Sequence, residues 1–225
     1  MNPSLQKLQQ ALGYQFTKIE YLEQALTHRS VGPVNNERLE FLGDSILNFC
    51  ITRKLFSFRP DASEGELSRI RASLVNRDAL AGLAAQLELE KCITLGRGEK
   101  QSGGQRRTSI QADAVEAILG AVLLDGGFDN CRELISHLYK SHFEHLPDAE
   151  DLKDPKTRLQ EYLQSRRLGL PEYSVTSETG KDHAKHFEVS CEAADFQTAI
   201  GLGSSRRKAE QAAASKMLDQ FVDDK

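Results

Sequence analysis

The pattern of apolar and polar positions changes near residue 144. Before that point, apolar residues recur every three or four positions, as in amphipathic helices, and strand-like alternation never extends over a useful length. The stretch SIQADAVEAILGAVLLDGG (109–127) is apolar on nearly all sides, which predicts a buried helix. The glycine-rich stretch 95–105 predicts a loop. The first region is therefore predicted to be all-helical.

The segment EHLPDAEDLKDP (144–155) is polar, acidic and bracketed by prolines, which is typical of a connection between domains. After it, KTRLQEYLQSRR (156–167) predicts an amphipathic helix, HFEVSCEA (186–193) alternates as a strand does, and the alanine-rich stretch 204–222 predicts a last helix. With three short extended segments between the helices, the order is α-β-β-β-α. The predicted boundaries are a first domain over 4–143, a linker over 144–153 and a second domain over 154–223.

Composition changes this picture little. Of 225 residues, 39% are apolar and 28% are charged, which is an ordinary balance for globular domains. No apolar run is long enough to span a bilayer and the N-terminus lacks a signal-peptide pattern, so we expect a soluble, cytoplasmic protein. The four cysteines have no metal-ligand spacing, which favours reduced thiols over disulfides or a zinc site.

The net charge of −4 does not by itself indicate a nucleic-acid partner. Clustering of cations matters more than net charge for binding a phosphate backbone. The local basic clusters are Arg106 with Arg107, Arg166 with Arg167, and Arg206 with Arg207 and Lys208. Nucleic acid therefore stays among the possible partners.

The stretch NERLEFLGDS (36–45) carries a first group of carboxylates. Glu37, Glu40 and Asp44 are three and four residues apart, so they share one face of a helix while leucines turn toward a core. Like charges aligned in this way repel, and this helix offers no cation on that face. Such a spacing alone is more often a solvated helix face than a site.

The apolar helix at 109–127 carries a second group. Its only charges before Asp125 are Asp113 and Glu116. Burial of unpaired carboxylates costs several kcal/mol each, so these two should meet a cation. Gly43 and Gly120, one in each acidic helix, suggest close helix approach.

Together, the two groups favour a metal site over two unrelated solvated faces. Ligands that are all oxygen, without His or Cys, suit Mg²⁺ or Mn²⁺ better than zinc. Such a metal usually serves phosphoryl chemistry, because it polarises the phosphate, lowers the pKa of a bound water and stabilises the leaving oxygen. A further acid, Glu64, starts a helix where Ser63 and Glu66 predict a capping box, and from chemistry alone it offsets the helix dipole.

These stretches, in this order, resemble bacterial ribonuclease III. The segments that carry the resemblance are ALTHRS (25–30), NERLEFLGDS (36–45), EGELSRIRASLV (64–75), GRGEKQSGG (96–104), ADAVEAILGAVLLDGG (112–127), DPKTRLQEYLQ (154–164) and GSSRRKAEQAAA (203–214). The resemblance implies an all-helical ribonuclease III endonuclease domain followed by a small α-β-β-β-α double-stranded RNA-binding domain.

The resemblance also implies an activity. It is that of a Mg²⁺-dependent endoribonuclease, with Mn²⁺ as a substitute, that hydrolyses phosphodiesters in both strands of double-stranded RNA. The products would have 5′-phosphate and 3′-hydroxyl ends with short 3′ overhangs, and the substrates would be ribosomal RNA precursors and some messenger RNAs. The implied assembly is a homodimer, because a two-fold dimer matches the approximate two-fold axis of a duplex. No small-molecule cofactor and no membrane are implied.

Residue roles follow from the resemblance position by position. The implied metal ligands are Glu40, Asp113 and Glu116. Asp44 and Glu116 match residues assigned to catalysis. Glu37 and Glu64 match further acids of the active-site valley, which raises Glu64 above a dipole role. Phe41 matches a position at the subunit interface.

The second domain is implied to recognise duplex RNA by shape. A-form RNA hides its bases in a deep major groove, so a protein contacts 2′-hydroxyls across the minor groove and the flanking phosphates. The implied RNA-binding residues are Gln160, Glu161, His183, Arg206, Arg207 and Lys208. Two positions depart from the pattern: Lys181 stands where the loop usually has proline, and Glu210 stands where a third basic residue is common.

Two alternatives remain at this point. One is a regulator that binds double-stranded RNA without cleaving it, and its mark would be the loss of an acidic ligand, which this sequence does not show. The other is a metal-dependent hydrolase of small phosphoesters. The RNA-binding domain argues against it, because such an enzyme has no use for a duplex-reading module.

Overall fold

The structure, a computed structural model, describes residues 3–180, 185–194 and 196–222. It divides into two compact units, Met1–Leu152 and Lys153–Lys225. Over the part of the chain that is described, every strand of the sheet belongs to the second unit. Among these same residues, we find no helix with the length and hydropathy needed to cross a membrane.

The first unit is helical, as the pattern predicted. Its helices are α1 (Pro3–Leu12), α2 (Ile19–Ala25), α3 (Glu37–Phe58), α4 (Glu64–Val75), α5 (Arg77–Gln86), α6 (Arg97–Gln101), α7 (Thr108–Leu138) and α8 (Lys140–Glu144). The stretch predicted as a glycine-rich loop contains the one-turn helix α6 and a short 3₁₀ turn, Gly104–Arg106. Gly103, with φ of +75°, separates the two, so glycine here makes the bend rather than an open loop.

The core of the first unit lies around α3 and α7. Leu47 and Ile51 of α3 and Ile118 and Leu119 of α7 are fully buried in one apolar cluster. Truncation of such a side chain to alanine typically costs about 2–5 kcal/mol. As predicted, the first part of α7 is buried on nearly all sides, so its carboxylates start from an apolar surrounding.

Two glycines set the distance between these helices. A Cβ on Gly43 would overlap the backbone carbonyl of Glu116, and a Cβ on Gly120 would overlap that of Leu39. The backbones of α3 and α7 therefore touch at this crossing, which confirms the close approach predicted from the two glycines. The acidic residues one turn away on each helix are brought face to face as a result.

The predicted linker contributes to the packing of the first unit. Leu146, Ala149 and Leu152 pack against its core, and the Nε of Arg69 donates a hydrogen bond to the carbonyl of Ala149, at 3.4 Å. The physical reason is the recurrence of apolar side chains every third residue, which the acidic composition of this segment masked in the sequence. The break between compact units falls after Leu152.

The second unit has the predicted order α-β-β-β-α. Its elements are α9 (Pro155–Ser165), β1 (Glu172–Thr179), β2 (His186–Glu192), β3 (Ala199–Gly203) and α10 (Arg206–Val222). The sheet is antiparallel with order β1-β2-β3, and Val189 of β2 lies opposite Val175 on one side and Gly201 on the other. Asp154 caps α9 by accepting a hydrogen bond from the backbone N–H of Thr157, at 3.1 Å.

Both helices of the second unit pack on one face of this sheet. Leu159 and Leu163 of α9, Cys191 of β2 and Met217 of α10 are buried in a single cluster. A Cβ on Gly201 would overlap the backbone of α10, so the helix rests directly on β3. This contact fixes the helix whose first turn carries the basic cluster.

Candidate active site

The crossing of α3 and α7 assembles a group of carboxylates. Glu40, Asp113 and Glu116 each offer one oxygen, and these oxygens all lie within 4.8 Å of one another. Glu40 comes from the first turn of α3, and the other two come from the buried part of α7. The three residues that the resemblance implied as metal ligands are thus close together, although more than seventy positions separate Glu40 from Asp113 in sequence.

Two more of the implied acids line the same cavity, whose volume is about 680 Å³. Asp44 lies one turn after Glu40 on α3, and its Oδ1 accepts a hydrogen bond from the Nδ2 of Asn48, at 2.7 Å. Glu37 lies one turn before, and it forms an ion pair with Arg29 at 3.3 Å. Both side chains are more exposed than those of the central three.

The central carboxylates are electrostatically strained in the absence of a cation. Burial, together with the nearby charges of Asp44, Glu40 and Asp113, raises the pKa of Glu116 to about 8. Burial and the charge of Asp113 raise the pKa of Glu40, and burial also raises the pKa of Asp113 despite the opposing charge of Arg77. Each shift has the direction expected for a carboxylate that lacks a compensating partner.

This donor set fits a divalent cation. Within residues 3–180, 185–194 and 196–222, no lysine or arginine forms an ion pair with Glu40, Asp113 or Glu116. Half-buried carboxylates that repel one another need a compensating charge, and their oxygen-only chemistry matches Mg²⁺ and Mn²⁺. The cluster therefore has both the charge and the chemistry of a site for such an ion.

The lining of the same cavity also contains basic side chains, which the sequence alone did not identify as part of the site. Arg29, Arg107 and His28 line it. Arg107 pairs with Glu99 at 2.7 Å, and the Nδ1 of His28 lies 2.9 Å from the hydroxyl of Ser30. The signal that could have placed Arg107 here is its position directly before α7. Cations beside an acidic cluster suit a phosphate backbone that approaches a metal.

Glu64 does not line this cavity within one chain. It lies in the first turn of α4, where its Oε1 accepts a hydrogen bond from the hydroxyl of Ser68, at 2.7 Å. The capping box predicted for this helix is confirmed, because the backbone N–H of Ser63 donates to the carboxylate of Glu66 and the Ser63 hydroxyl accepts from the Glu66 N–H. Any role of Glu64 in the reaction would therefore be exerted from outside this cavity.

Phe41 is an apolar side chain in an unusual position. It is 78% exposed on α3, between the acidic cavity and a second groove lined by Tyr21, Leu42 and Leu124. A large exposed aromatic ring beside an apolar groove is typical of a protein contact surface.

The second unit carries the candidate RNA-binding residues on two helices. Gln160 and Glu161 are exposed on α9, and the basic residues Arg206, Arg207 and Lys208 are exposed in the first turn of α10. The carboxylate of Glu161 pairs with Lys153 at 2.6 Å, which the sequence analysis did not predict.

A helix N-terminus with adjacent cations is a good site for phosphate, because backbone N–H groups and side chains then act together. The first turn of α10 combines both features. His183, which the resemblance implied as a groove-reaching residue, lies outside the described residues, as does Lys181.

Each of the two units matches a known protein family. The family model described as "Ribonuclease-III-like" matches residues 18–142, and the one described as "Double-stranded RNA binding motif" matches residues 155–220. A ribonuclease 3 of Alkalilimnicola ehrlichii is 54% identical over 217 residues, covering 96% of this chain and 95% of that protein. A ribonuclease 3 of Nitrosococcus oceani is 53% identical over 97% of this chain and 95% of its own length.

A solved structure supports the fold of the first unit. The nuclease domain of ribonuclease III from Campylobacter jejuni is 38% identical to this protein, and the two superpose with a TM-score of 0.62. The match covers 65% of this protein and 100% of the Campylobacter jejuni domain. The two halves of the chain thus define one class of protein, the endoribonucleases that act on double-stranded RNA. More particularly, the chain belongs to the ribonuclease III family, whose nuclease domain uses divalent metal.

Proposed function

We propose that this protein hydrolyses phosphodiesters in both strands of double-stranded RNA in a Mg²⁺-dependent reaction, leaving 5′-phosphate and 3′-hydroxyl ends with short 3′ overhangs. The observation that carries the proposal is the set of three carboxylates at the α3–α7 crossing, which form no ion pair with any of the described residues and whose oxygens lie within 4.8 Å of one another. Mn²⁺ shares their ligand preference and would substitute for Mg²⁺.

The metal would be held by Glu40, Asp113 and Glu116. When bound, it would polarise the scissile phosphate and stabilise the charge that develops in the transition state. The raised pKa of Glu116 means that the site without metal tends to hold a proton, so metal must displace that proton to bind.

Asp44 and Glu116 are the proposed catalytic residues. The Nδ2 of Asn48 holds Oδ1 of Asp44, which leaves Oδ2 to accept a hydrogen bond from the attacking water. Such a bond orients a lone pair of the water toward the phosphorus. Glu116 is the more buried of the two and lies beside the backbone of Gly43, so its position is set by the helix crossing.

Arg29 and Arg107, which line the cavity, would bind phosphates that flank the scissile bond. Glu99 positions Arg107, and Glu37 positions Arg29. Because these side chains are already partly ordered, RNA binding would lose less conformational entropy when they contact phosphate. Glu37 thereby has a function at the rim, while Glu64 is proposed as a further acid of the valley.

The proposed assembly is a homodimer through Phe41. The exposed ring and the apolar groove beside it, lined by Tyr21 and Leu124, form a surface that could pair with its own copy. A solved structure of the nuclease domain of ribonuclease III from Campylobacter jejuni shows structural flexibility in a region involved in dimer formation of that protein. A two-fold dimer would present two acidic cavities to the two strands of one duplex.

The second unit would hold the duplex by shape. Gln160 and Glu161 are proposed to contact 2′-hydroxyls, and Arg206, Arg207 and Lys208 are proposed to contact phosphates. His183 is retained as a proposal from the resemblance. The cellular substrates proposed are ribosomal RNA precursors and some messenger RNAs in the cytoplasm. A purely RNA-shielding role is disfavoured, since every implied acidic ligand is present.

The test is cleavage of a labelled RNA duplex by the purified protein with Mg²⁺, Mn²⁺, Ca²⁺ or chelator, with single-stranded RNA as a parallel substrate. We expect discrete short duplexes with Mg²⁺ and Mn²⁺ only, and end-labelling should show 5′-phosphates. Tight duplex binding without cleavage under every condition would instead support the RNA-shielding alternative.

A further inference from the structure

Glu210 is a carboxylate that holds two cations near the candidate RNA surface. It lies on the second turn of α10, and its side chain is only 14% exposed. Its Oε1 accepts a hydrogen bond from the Nε of Arg206 at 2.9 Å, and its Oε2 accepts one from the Nζ of Lys156 at 2.7 Å. The hydrogen bond from Lys156, followed by that from Arg206, holds the pKa of Glu210 below its ordinary value, so this carboxylate is charged at neutral pH.

The two cationic partners of Glu210 lie near the N-termini of α10 and α9, and their side chains are 65% and 34% exposed. Arg206 is the first residue of α10 and its side chain is 65% exposed, so its guanidinium stands at the helix N-terminus where phosphate is favoured. Lys156 opens α9, and its Nζ also lies 4.3 Å from the ring centre of Tyr173. Neither cation can give its full charge to RNA while it shares Glu210.

We propose that Glu210 is an internal counter-charge that competes with RNA phosphate for Arg206 and Lys156, so that it keeps duplex affinity low enough for cleaved products to leave. This inference rests on the proposed role of α10 in duplex binding. It assigns Glu210 to the setting of affinity, and it predicts that loss of the carboxylate tightens binding although two ion pairs are lost.

The mechanism is a competition of charges. When a phosphate approaches Arg206, the guanidinium either leaves Glu210 or binds both anions at once, and the like charges then repel. Removal of the carboxylate also makes the local surface more positive by one charge. Each phosphate that a protein neutralises contributes about −0.9 to the slope of log affinity against log salt concentration for a duplex.

The test uses the full-length protein, with duplex binding measured in Ca²⁺ over a series of salt concentrations. For Glu210→Gln we expect duplex affinity to rise by about threefold to tenfold and the salt slope to steepen by up to about 0.9. Single-turnover cleavage in Mg²⁺ should stay the same while the multiple-turnover rate falls, because product release becomes slower. A merely structural role would move none of these readouts in that direction.

Two other variants make the result interpretable. Glu88→Gln removes one carboxylate from an ion pair with Lys91 in the first unit, so it controls for the change in net charge and should leave affinity unchanged. If Glu210→Gln lowers the melting temperature too far for binding to be measured, Glu210→Asp keeps the charge but shortens its reach, and it should tighten binding by a smaller factor.

Arg207→Gln separates failure of the inference from failure of the proposed function. If Arg207→Gln weakens duplex binding while folded Glu210→Gln binds equally or more weakly than the parent protein, the counter-charge role is wrong and duplex binding by α10 stands. If Arg207→Gln has no effect on duplex binding, α10 is not the RNA surface. The proposed duplex binding by α10 and the counter-charge role of Glu210 are then both overturned.

Discussion

The carboxylates at the α3–α7 crossing of the first unit and those near the candidate RNA surface of the second unit differ in their partners. In the first unit, Glu40, Asp113 and Glu116 are partly buried near one another without a cationic partner among the residues that the structure describes, and their pKa values are raised. In the second unit, Glu161 and Glu210 have lysine or arginine partners.

The presence or absence of a cationic partner distinguishes structural carboxylates from those of a functional site. A carboxylate with a protein partner is already satisfied, so its removal should destabilise the fold or alter binding by a modest factor. Carboxylates that only repel one another destabilise the fold on their own, and they make physical sense when a ligand compensates them. Removal of a repelling carboxylate at the α3–α7 crossing should therefore stabilise the metal-free fold. Removal of a paired carboxylate in the second unit should instead destabilise the fold or change the affinity for RNA.

The largest effect should come from Glu116→Gln. Removal of a single group that stabilises a transition state typically costs about 10²–10³-fold in rate, so we expect duplex cleavage in Mg²⁺ to fall at least that far while duplex binding stays largely intact. Without metal, the variant should melt at a higher temperature than the parent protein, because it removes a repelling charge.

Glu133→Gln is the matched control for this prediction, since Glu133 is exposed on the part of α7 that follows the non-helical Gly127 and does not line the cavity. It should leave cleavage and melting unchanged. A Glu116→Gln protein that cuts at a near-normal rate would contradict the assignment of this carboxylate.

The next effect should come from the helix crossing. In Gly43→Ala the new methyl group meets the backbone of Glu116, which cannot move as a flexible side chain can. We expect a loss of about 3 kcal/mol or more in the free energy of unfolding, measured with denaturant, because overpacking of this kind shifts the backbone. In Gly82→Ala, on α5, the methyl group enters open space, and we expect a gain of about 0.5–1 kcal/mol.

The dependence of stability on pH should show that the carboxylates at the α3–α7 crossing repel one another. The folded pKa of Glu116 is about 8 against an ordinary value of 4.5, so the folded protein without metal binds more protons than the unfolded chain between these values. Its stability should therefore fall as pH rises through this window. The difference in melting temperature between Glu116→Gln and the parent protein, in chelator, should therefore grow from pH 5 to pH 8, and a constant difference over this range would contradict the raised pKa of Glu116.

The second unit should respond in the opposite direction. Burial raises the pKa of Asp154, but the hydrogen bonds from Gln211 and Thr157 outweigh it, and the net shift is downward. Its contribution is present above the ordinary pKa of aspartate and is lost as pH falls through the lowered value. A pH series from 7 to 3 that shows Asp154→Asn and the parent protein diverging at low pH instead of converging would contradict this.

The smallest effect should come from the cap itself. Asp154→Ala removes the side chain that accepts hydrogen bonds from the N–H of Thr157 and from Gln211. We expect a loss of about 1 kcal/mol in the stability of the second unit, measured by thermal unfolding, with cleavage unchanged at low temperature. Asp154→Ser keeps a capping oxygen and should recover part of that stability.

The sequence predicted the order of the elements and the carboxylate groups, because both depend on local spacing. The periodicity of 109–127 identified a buried helix, and the rule that buried charge needs compensation pointed to Asp113 and Glu116. The glycines at 43 and 120 indicated where two helices touch. Which carboxylates would act as ligands came from the resemblance, and the structure adds that three of them are close together.

What the sequence could not predict depends on distant partners. The ion pair between Lys156 and Glu210 joins α9 to α10, and the distance between these two helices is fixed only in the folded unit. The packing of Leu146, Ala149 and Leu152 was hidden because acidic neighbours dominated the composition of that segment. The sequence did not predict that Arg29 and Arg107 line one cavity, because the two residues come from separate loops.

The backbone contact at Gly43 and Gly120 has a consequence for protein engineering. Since main-chain atoms meet there, the register of α3 against α7 is set without the help of neighbouring side chains. Leucines elsewhere between the two helices could be exchanged for other apolar residues of similar volume, and the carboxylate spacing should be preserved. The crossing would thus serve as a fixed reference point around which a more heat-resistant nuclease core could be redesigned.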